Sequence, residues 1–233
     1  MKIKIFTILV IFAIVGCNNT QKSSENTASE INNEPSDSIE NMDTAHKIAN
    51  ASGFENWKDV SEISFTFNVD RDGNHFYRSW VWNPKTGDVQ MNSEKGQLSY
   101  NRSKLDSLAM KTDASFINDK YWLLAPFQIA WDKGTSFTEK ENVEAPISKD
   151  ALNRLTVVYG NAGGYTPGDA YDLFYDKNYK IKEWNYRKDN APEPTMTTTW
   201  EDYKNFGGID IATMHTGATG NFKLYFTDIS VKK

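Results

Sequence analysis

The chain has 233 residues, with 26 Lys and Arg against 31 Asp and Glu, and a net charge of -5. That balance excludes the basic face that nucleic-acid phosphates demand, and an aromatic content of 13% excludes a disordered chain. A single cysteine, Cys17, excludes an intramolecular disulfide and a thiolate metal cluster.

Lys2 and Lys4 precede an apolar stretch over residues 5–15 that only Thr7 interrupts. At about 1.5 Å per residue this stretch is too short for a hydrocarbon core of about 30 Å, so it reads as the h-region of a signal peptide. It ends in Ile14-Val15-Gly16-Cys17, which resembles the bacterial lipobox. The alternative is an ordinary signal peptide with an incidental cysteine. By the resemblance Cys17 is lipidated and becomes the first mature residue. Several acyl chains on one cysteine anchor firmly where a single chain does not. Asn18 stands where an inner-membrane retention signal would carry Asp, which by resemblance favours the outer membrane, and the expected location is its periplasmic face. The segment after it, to Asn41, has Ile31 and Ile39 as its only aliphatic side chains larger than alanine. It cannot bury enough surface to offset its ordering entropy. The expected organisation is a signal peptide over residues 1–16, a lipidated tether over 17–41 and one domain over 42–233.

The domain reads as mostly sheet. Residues 42–52 suit a short helix capped by Asp43 or Thr44, with Gly53 as its stop. Ile63, Phe65, Phe67 and Val69 alternate with polar residues, the clearest strand pattern in the chain. Asp70-Arg71-Asp72-Gly73 turns it back into a second strand over residues 75–82, which carries aromatics on both faces. Val89 and Met91 begin a third. Residues 113–125 show helical spacing, apolar nearly all round, with Pro126 as the terminator. Further strands are expected at residues 154–159, 170–175, 179–187, 195–203, 209–215 and 222–229, with turn chemistry between them.

Motifs for chemistry are sparse. His46, His75 and His215 are the only histidines; none is paired at metal-ligand spacing, and each reads as a surface or edge residue. There is no Gly-x-Ser-x-Gly elbow, and the glycine-rich run over residues 160–168 lacks the ending of a phosphate cradle. Asp70-x-Asp72-Gly73-Asn74 has its glycine at the wrong place for a calcium loop and reads as a tight turn. Glu201-Asp202 would point to opposite faces of a strand, and Asp169 with Asp172 is the other carboxylate pair. No cofactor, metal site or catalytic group is expected.

What remains is the aromatic excess, including seven tryptophans. They fill a curved core, or some of them line a cavity. The best guesses for a lining are Phe65, Phe67, Trp80, Trp82, Trp122 and Leu124, which could equally be core.

The order of elements carries a resemblance. Gly53-Phe54-x-x-Trp57 leads into Ile63-Ser64-Phe65-Thr66-Phe67, then Trp82-Asn83-Pro84-Lys85-Thr86-Gly87. Tyr121-Trp122-Leu123-Leu124-Ala125-Pro126-Phe127 lies mid-chain, and Trp200-Glu201-Asp202-Tyr203 runs into Gly207-Gly208-Ile209. The layout resembles uncharacterised lipoproteins of Bacteroidetes and the half-barrel superfamily of the lipoprotein carrier and receptor, LolA and LolB. The resemblance implies a mainly β (α+β) fold, an incomplete antiparallel barrel wrapping a helix, whose apolar interior holds acyl chains. The leading expectation is therefore a non-catalytic, membrane-anchored lipoprotein that binds a lipid or acyl chain. The alternative is a lipoprotein of the cell envelope that binds glycans on exposed aromatics. Protein partners and oligomeric state stay open.

Overall fold

The computed structural model describes residues 43–161 and 167–233. The expectations for the signal peptide, Cys17 and the tether lie outside these residues. Helix α1 (Thr44–Ala51) starts where Asp43 accepts from the His46 N–H at 2.8 Å and stops at Gly53, whose φ is +85°. A 3-10 turn (Phe54–Asp59) follows and leads into strand β1 (Glu62–Arg71). Asp72 and Gly73 both have positive φ and form the two-residue turn to β2 (Asn74–Trp82). The chain continues through β3 (Asp88–Ser93), β4 (Gly96–Asn101) and the long helix α2 (Ser107–Trp131). Strands β5 (Thr135–Glu144), β6 (Ala151–Tyr159), β7 (Ala170–Tyr175) and β8 (Ile181–Arg187) come next. The last four are β9 (Met196–Thr199), β10 (Glu201–Phe206), β11 (Ile209–Thr216) and β12 (Phe222–Lys232).

The strands form two antiparallel sheets, ordered β10-β11-β12-β1-β2-β3-β4 and β5-β6-β7-β8-β9. They join at one run of chain. The expected strand over residues 195–203 is divided at Trp200: its first part pairs with β8, its second with β11. A bridge from Thr198 to Gly217 and the Trp200 N–H to Lys182 carbonyl bond, 2.7 Å, stitch the junction. The result is a nearly continuous antiparallel wall with free edges at β4 and β5 and no closure. Helix α2 lies within it. Phe116 packs on Trp80 and Trp82 of β2, while Tyr121 packs on Tyr171 of β7 and Trp122 on Trp184 of β8. The fold is thus mainly β, an open antiparallel wall around a helix.

Helix α2 is longer than the pattern over residues 113–125 implies. Asp106 caps it by accepting from the Ala109 N–H at 2.8 Å. Pro126 does not end it. Leu124 leaves helical geometry (φ -125°, ψ 24°), which starts a second short helical segment. Pro126 falls in the first turn of that segment, where a missing N–H costs no hydrogen bond.

Two motifs distant in sequence meet at one end of the wall. A Cβ added to Gly53 would lie 2.0 Å from the Gly208 carbonyl oxygen, and Asn56 Nδ2 donates to that same oxygen at 3.1 Å. This contact locks the α1 exit onto the β10–β11 turn.

Candidate functional site

Two carboxylates fix the face of α2 that looks onto the larger sheet. Asp119, fully buried, accepts from Arg78 Nε at 2.7 Å, Arg78 Nη2 at 2.6 Å and Trp80 Nε1 at 2.9 Å. Burial pushes its carboxyl up, and the Arg78 fork, Asn118 and Trp80 pull it back. One turn and a half earlier, Asp113 accepts from Arg102 Nε at 2.9 Å and from the Tyr100 hydroxyl at 3.1 Å. Lys120 is also buried here, donating to Gln128 Oε1 at 2.6 Å and lying over the rings of Trp82 and Trp131. Burial and the nearby Arg102 pull its ammonium down to about 8.

The opposite face of α2 borders a cavity of about 350 Å³. Ala114, Ile117, Asn118, Tyr121 and Trp122 form the helix side. Tyr171 of β7, Trp184 and Tyr186 of β8, and Met196 of β9 form the sheet side. Trp184 and Tyr186 share this face by strand alternation, and a bulge next to them brings Ile181 to the same side. Leu173 pairs with Trp184 but Tyr175 with Ile181, so Trp184 and Ile181 share a face although strict alternation would separate them. The rings are in contact: Tyr121 with Tyr171 at 4.8 Å, Tyr171 with Tyr186 at 5.3 Å, and Trp122 with Trp184 at 4.4 Å between centroids.

Among the described residues, no side chain of the wall is charged. The phenols are tied off at their far ends: Tyr186 donates to Asp169 at 2.9 Å, and the Tyr121 hydroxyl lies 3.1 Å from that of Tyr159, which donates to Asp132 at 2.8 Å. Burial, then Asp169, pushes Tyr186 up to about 12, and burial pushes Tyr121 and Tyr159 higher still. All three stay neutral in ordinary buffers. On the helix, Met110, Ala114, Ile117 and Tyr121 follow i, i+4, i+7, i+11 spacing, an apolar track that starts at the exposed Met110 and ends in the cavity.

Of the six side chains expected to form a lining, Trp122 stands in this wall. Phe65, Phe67, Trp80, Trp82 and Leu124 lie in the packed interior. Phe65 and Phe67 meet Phe226, and Trp80 serves Asp119. Sequence reasoning left Ile117, Tyr121 and Met196 without a site role, although the helix spacing of Ile117 and Tyr121 was visible. His215 corrects an expectation. It is fully buried, not at an edge, because β11 runs between β10 and β12 and Ile209, Ile211, Thr213 and His215 share its inward phase. Asp169 and Asp172 do not face each other as an acid pair. Asp172 is engaged by Arg187 and Thr156, and Asp169 by Tyr186 and the Asp189 N–H. Among the described residues no group of three or more His, Cys, Asp or Glu side chains could hold a metal ion.

The chain matches no protein-family model and no curated protein. Three solved structures similar to it in fold are a LolA superfamily protein from Nitrosomonas europaea, a DUF1329 family protein from Desulfovibrio piger and a domain classed as an outer-membrane lipoprotein-sorting protein from Vibrio parahaemolyticus. The first has a TM-score of 0.47 and 11% identity, covering 82% of this chain and 95% of that one. The second has 0.45 and 10%, covering 82% and 94%. The third has 0.46 and 10%, covering 81% and 94%.

Proposed function

We propose that this protein is a membrane-anchored bacterial lipoprotein that binds an apolar ligand, a lipid or acyl chain, between α2 and the smaller sheet, without catalysis. The observation that carries the reading is the cavity wall: aromatic and aliphatic side chains, no formal charge, and an apolar track leading in from Met110. A volume of about 350 Å³ lies within the usual range for small-molecule sites. Such a site works by burial, each CH₂ taken from water contributing about 0.8 kcal/mol. Trp122, Trp184 and Tyr171 give it shape.

Native mass spectrometry of gently purified protein tests this. A co-purifying lipid, and quenching of tryptophan fluorescence on adding medium-chain amphiphiles, are expected. Absence of both a bound mass and a fluorescence change would overturn the reading. The anchor is a separate proposal: lipidation of Cys17 places the domain at the outer membrane, on its periplasmic face. Incorporation of labelled fatty acid that Cys17→Ala abolishes is the expected result. Glycan stacking on exposed rings has less support, since none of the seven tryptophans is exposed.

A further inference from the structure

Behind the cavity four rings close a circuit. Trp122 meets Trp184 at 4.4 Å, Trp184 meets Trp200 at 5.2 Å, Trp200 meets His215 at 4.6 Å, and His215 returns to Trp122 at 5.3 Å between centroids. Thr198, fully buried, stands directly opposite Trp184 in the β8–β9 register. In this patch Trp184 Nε1, Trp200 Nε1, Thr198 Oγ1 and His215 Nε2 all lack a hydrogen-bond partner. Buried polar atoms are nearly always paired, so four unpaired in one patch call for an explanation.

The chemistry of the set is specific. A carbonyl oxygen can only accept, so the 3.1 Å bond between His215 Nδ1 and the Thr199 carbonyl places the ring proton on Nδ1. Burial keeps the ring neutral, pulling it down to about 3. Nε2 is then a bare acceptor. The two indole N–H groups only donate, and the Thr198 hydroxyl does both. Donors and an acceptor without a charge among them match a group that is neutral, donates and accepts. A hydroxyl has those properties. An ionised carboxylate has no proton for His215 Nε2 and would bring a charge to a wall without a cation.

We propose that the inner end of the cavity receives an uncharged hydroxyl, so that the guest is an amphiphile with an alcohol head and not an ionised fatty acid. The proposal rests on the apolar-ligand reading above. The four atoms are sealed behind the wall, and Trp122 and Trp184 belong both to the wall and to the circuit. Entry of the hydroxyl requires Trp122 or Trp184 to turn aside.

Fluorescence titration of the full chain with dodecanol, its methyl ether and dodecanoate tests it, at a pH where the acid is ionised. Dodecanol is expected to bind about tenfold more tightly than either of the others, the worth of one or two neutral hydrogen bonds. Thr198→Val is expected to narrow that advantage to about threefold or less. Equal affinities, or a preference for dodecanoate, would overturn the proposal and leave the apolar-ligand reading standing. No binding by any of the three would overturn both. Nitrogen-15 spectra of His215 give a check that needs no variant. Dodecanol must shift the Nε2 resonance as that atom gains a donor, and an unmoved Nε2 overturns the proposal.

Discussion

The two faces of α2 solve opposite problems. Toward the larger sheet, Asp119 and Asp113 are each satisfied by an arginine fork and an aromatic donor, and Phe116 fills the space between Trp80 and Trp82. Toward the smaller sheet, adjacent Ile117 borders open volume, and the polar atoms behind the rings go unpaired. The same helix is packed to completion on one side and left unfinished on the other. A face with every hydrogen bond made has no affinity left to offer. The unfinished face is where a guest gains something by entering.

Breaking the finished side should cost the most stability. Asp119→Ala strands the Arg78 guanidinium and the Trp80 N–H, and about 3–5 kcal/mol should be lost in chemical denaturation. Phe116→Ala empties a fully buried site and should cost about 3–5 kcal/mol as well. In both variants the folded protein should still bind the probe. If either variant unfolds no more easily than the parent, the finished face is not what holds the helix.

The next effect is one of pH. His215 titrates near its ordinary 6.5 in the unfolded chain but is held at about 3 when folded. The unfolded state therefore takes up a proton first as acid is added. Its contribution to stability is complete above about pH 6.5 and is lost progressively as pH falls toward about 3, at up to about 1.4 kcal/mol per pH unit. His215→Phe should remove that slope. Parallel stability curves for the two proteins below about pH 6 would show that the ring is not buried neutral.

Part of the fold could be read from residues alone, but not the contrast between the two faces of α2, and these limits have physical causes. The alternation from Ile63 to Val69 announces β1 because apolar side chains fill its inward face, although Thr66 and Asn68 on the other face are buried as well. Strands β4 and β5 leave no such mark: each is a free edge with few apolar side chains, and backbone pairing alone defines it. Division of residues 195–203 between two sheets is a property of the partners and not of the local sequence. Trp122, which widens the apolar side of a helix, stands in the wall, whereas Trp80 and Phe65, apolar positions on strands, lie in the core. What separates them is which sheet faces the helix, a tertiary fact. The bulge that turns Trp184 and Ile181 to one side is equally invisible in a period of two.

Smaller in stability, and sharper for function, is Ile117→Trp. The side chain points into space, so the larger ring should be accepted within about 1 kcal/mol. Binding should nevertheless be lost, since the indole occupies the guest's volume. Set against Phe116→Ala, one residue away, this reverses the pair of outcomes: stable and unable to bind, against unstable and able. A stable Ile117→Trp protein that still binds would mean that the guest sits elsewhere.

Thr198→Val should change stability least and in an unusual direction. A buried hydroxyl with a partner costs about 1 kcal/mol or more when deleted. Thr198 Oγ1 has none, and valine keeps its shape, so the substitution removes a desolvated polar atom and no hydrogen bond. Thermal denaturation of the ligand-free protein should show an unchanged or slightly raised Tm. The same variant is expected to lose its discrimination for an alcohol head. A residue kept only for packing would lose neither quantity, and one kept for an internal hydrogen bond would lose stability. Improved stability with impaired discrimination is the combination that a binding role alone explains, because a group held unpaired in the empty protein recovers its cost only when a guest arrives.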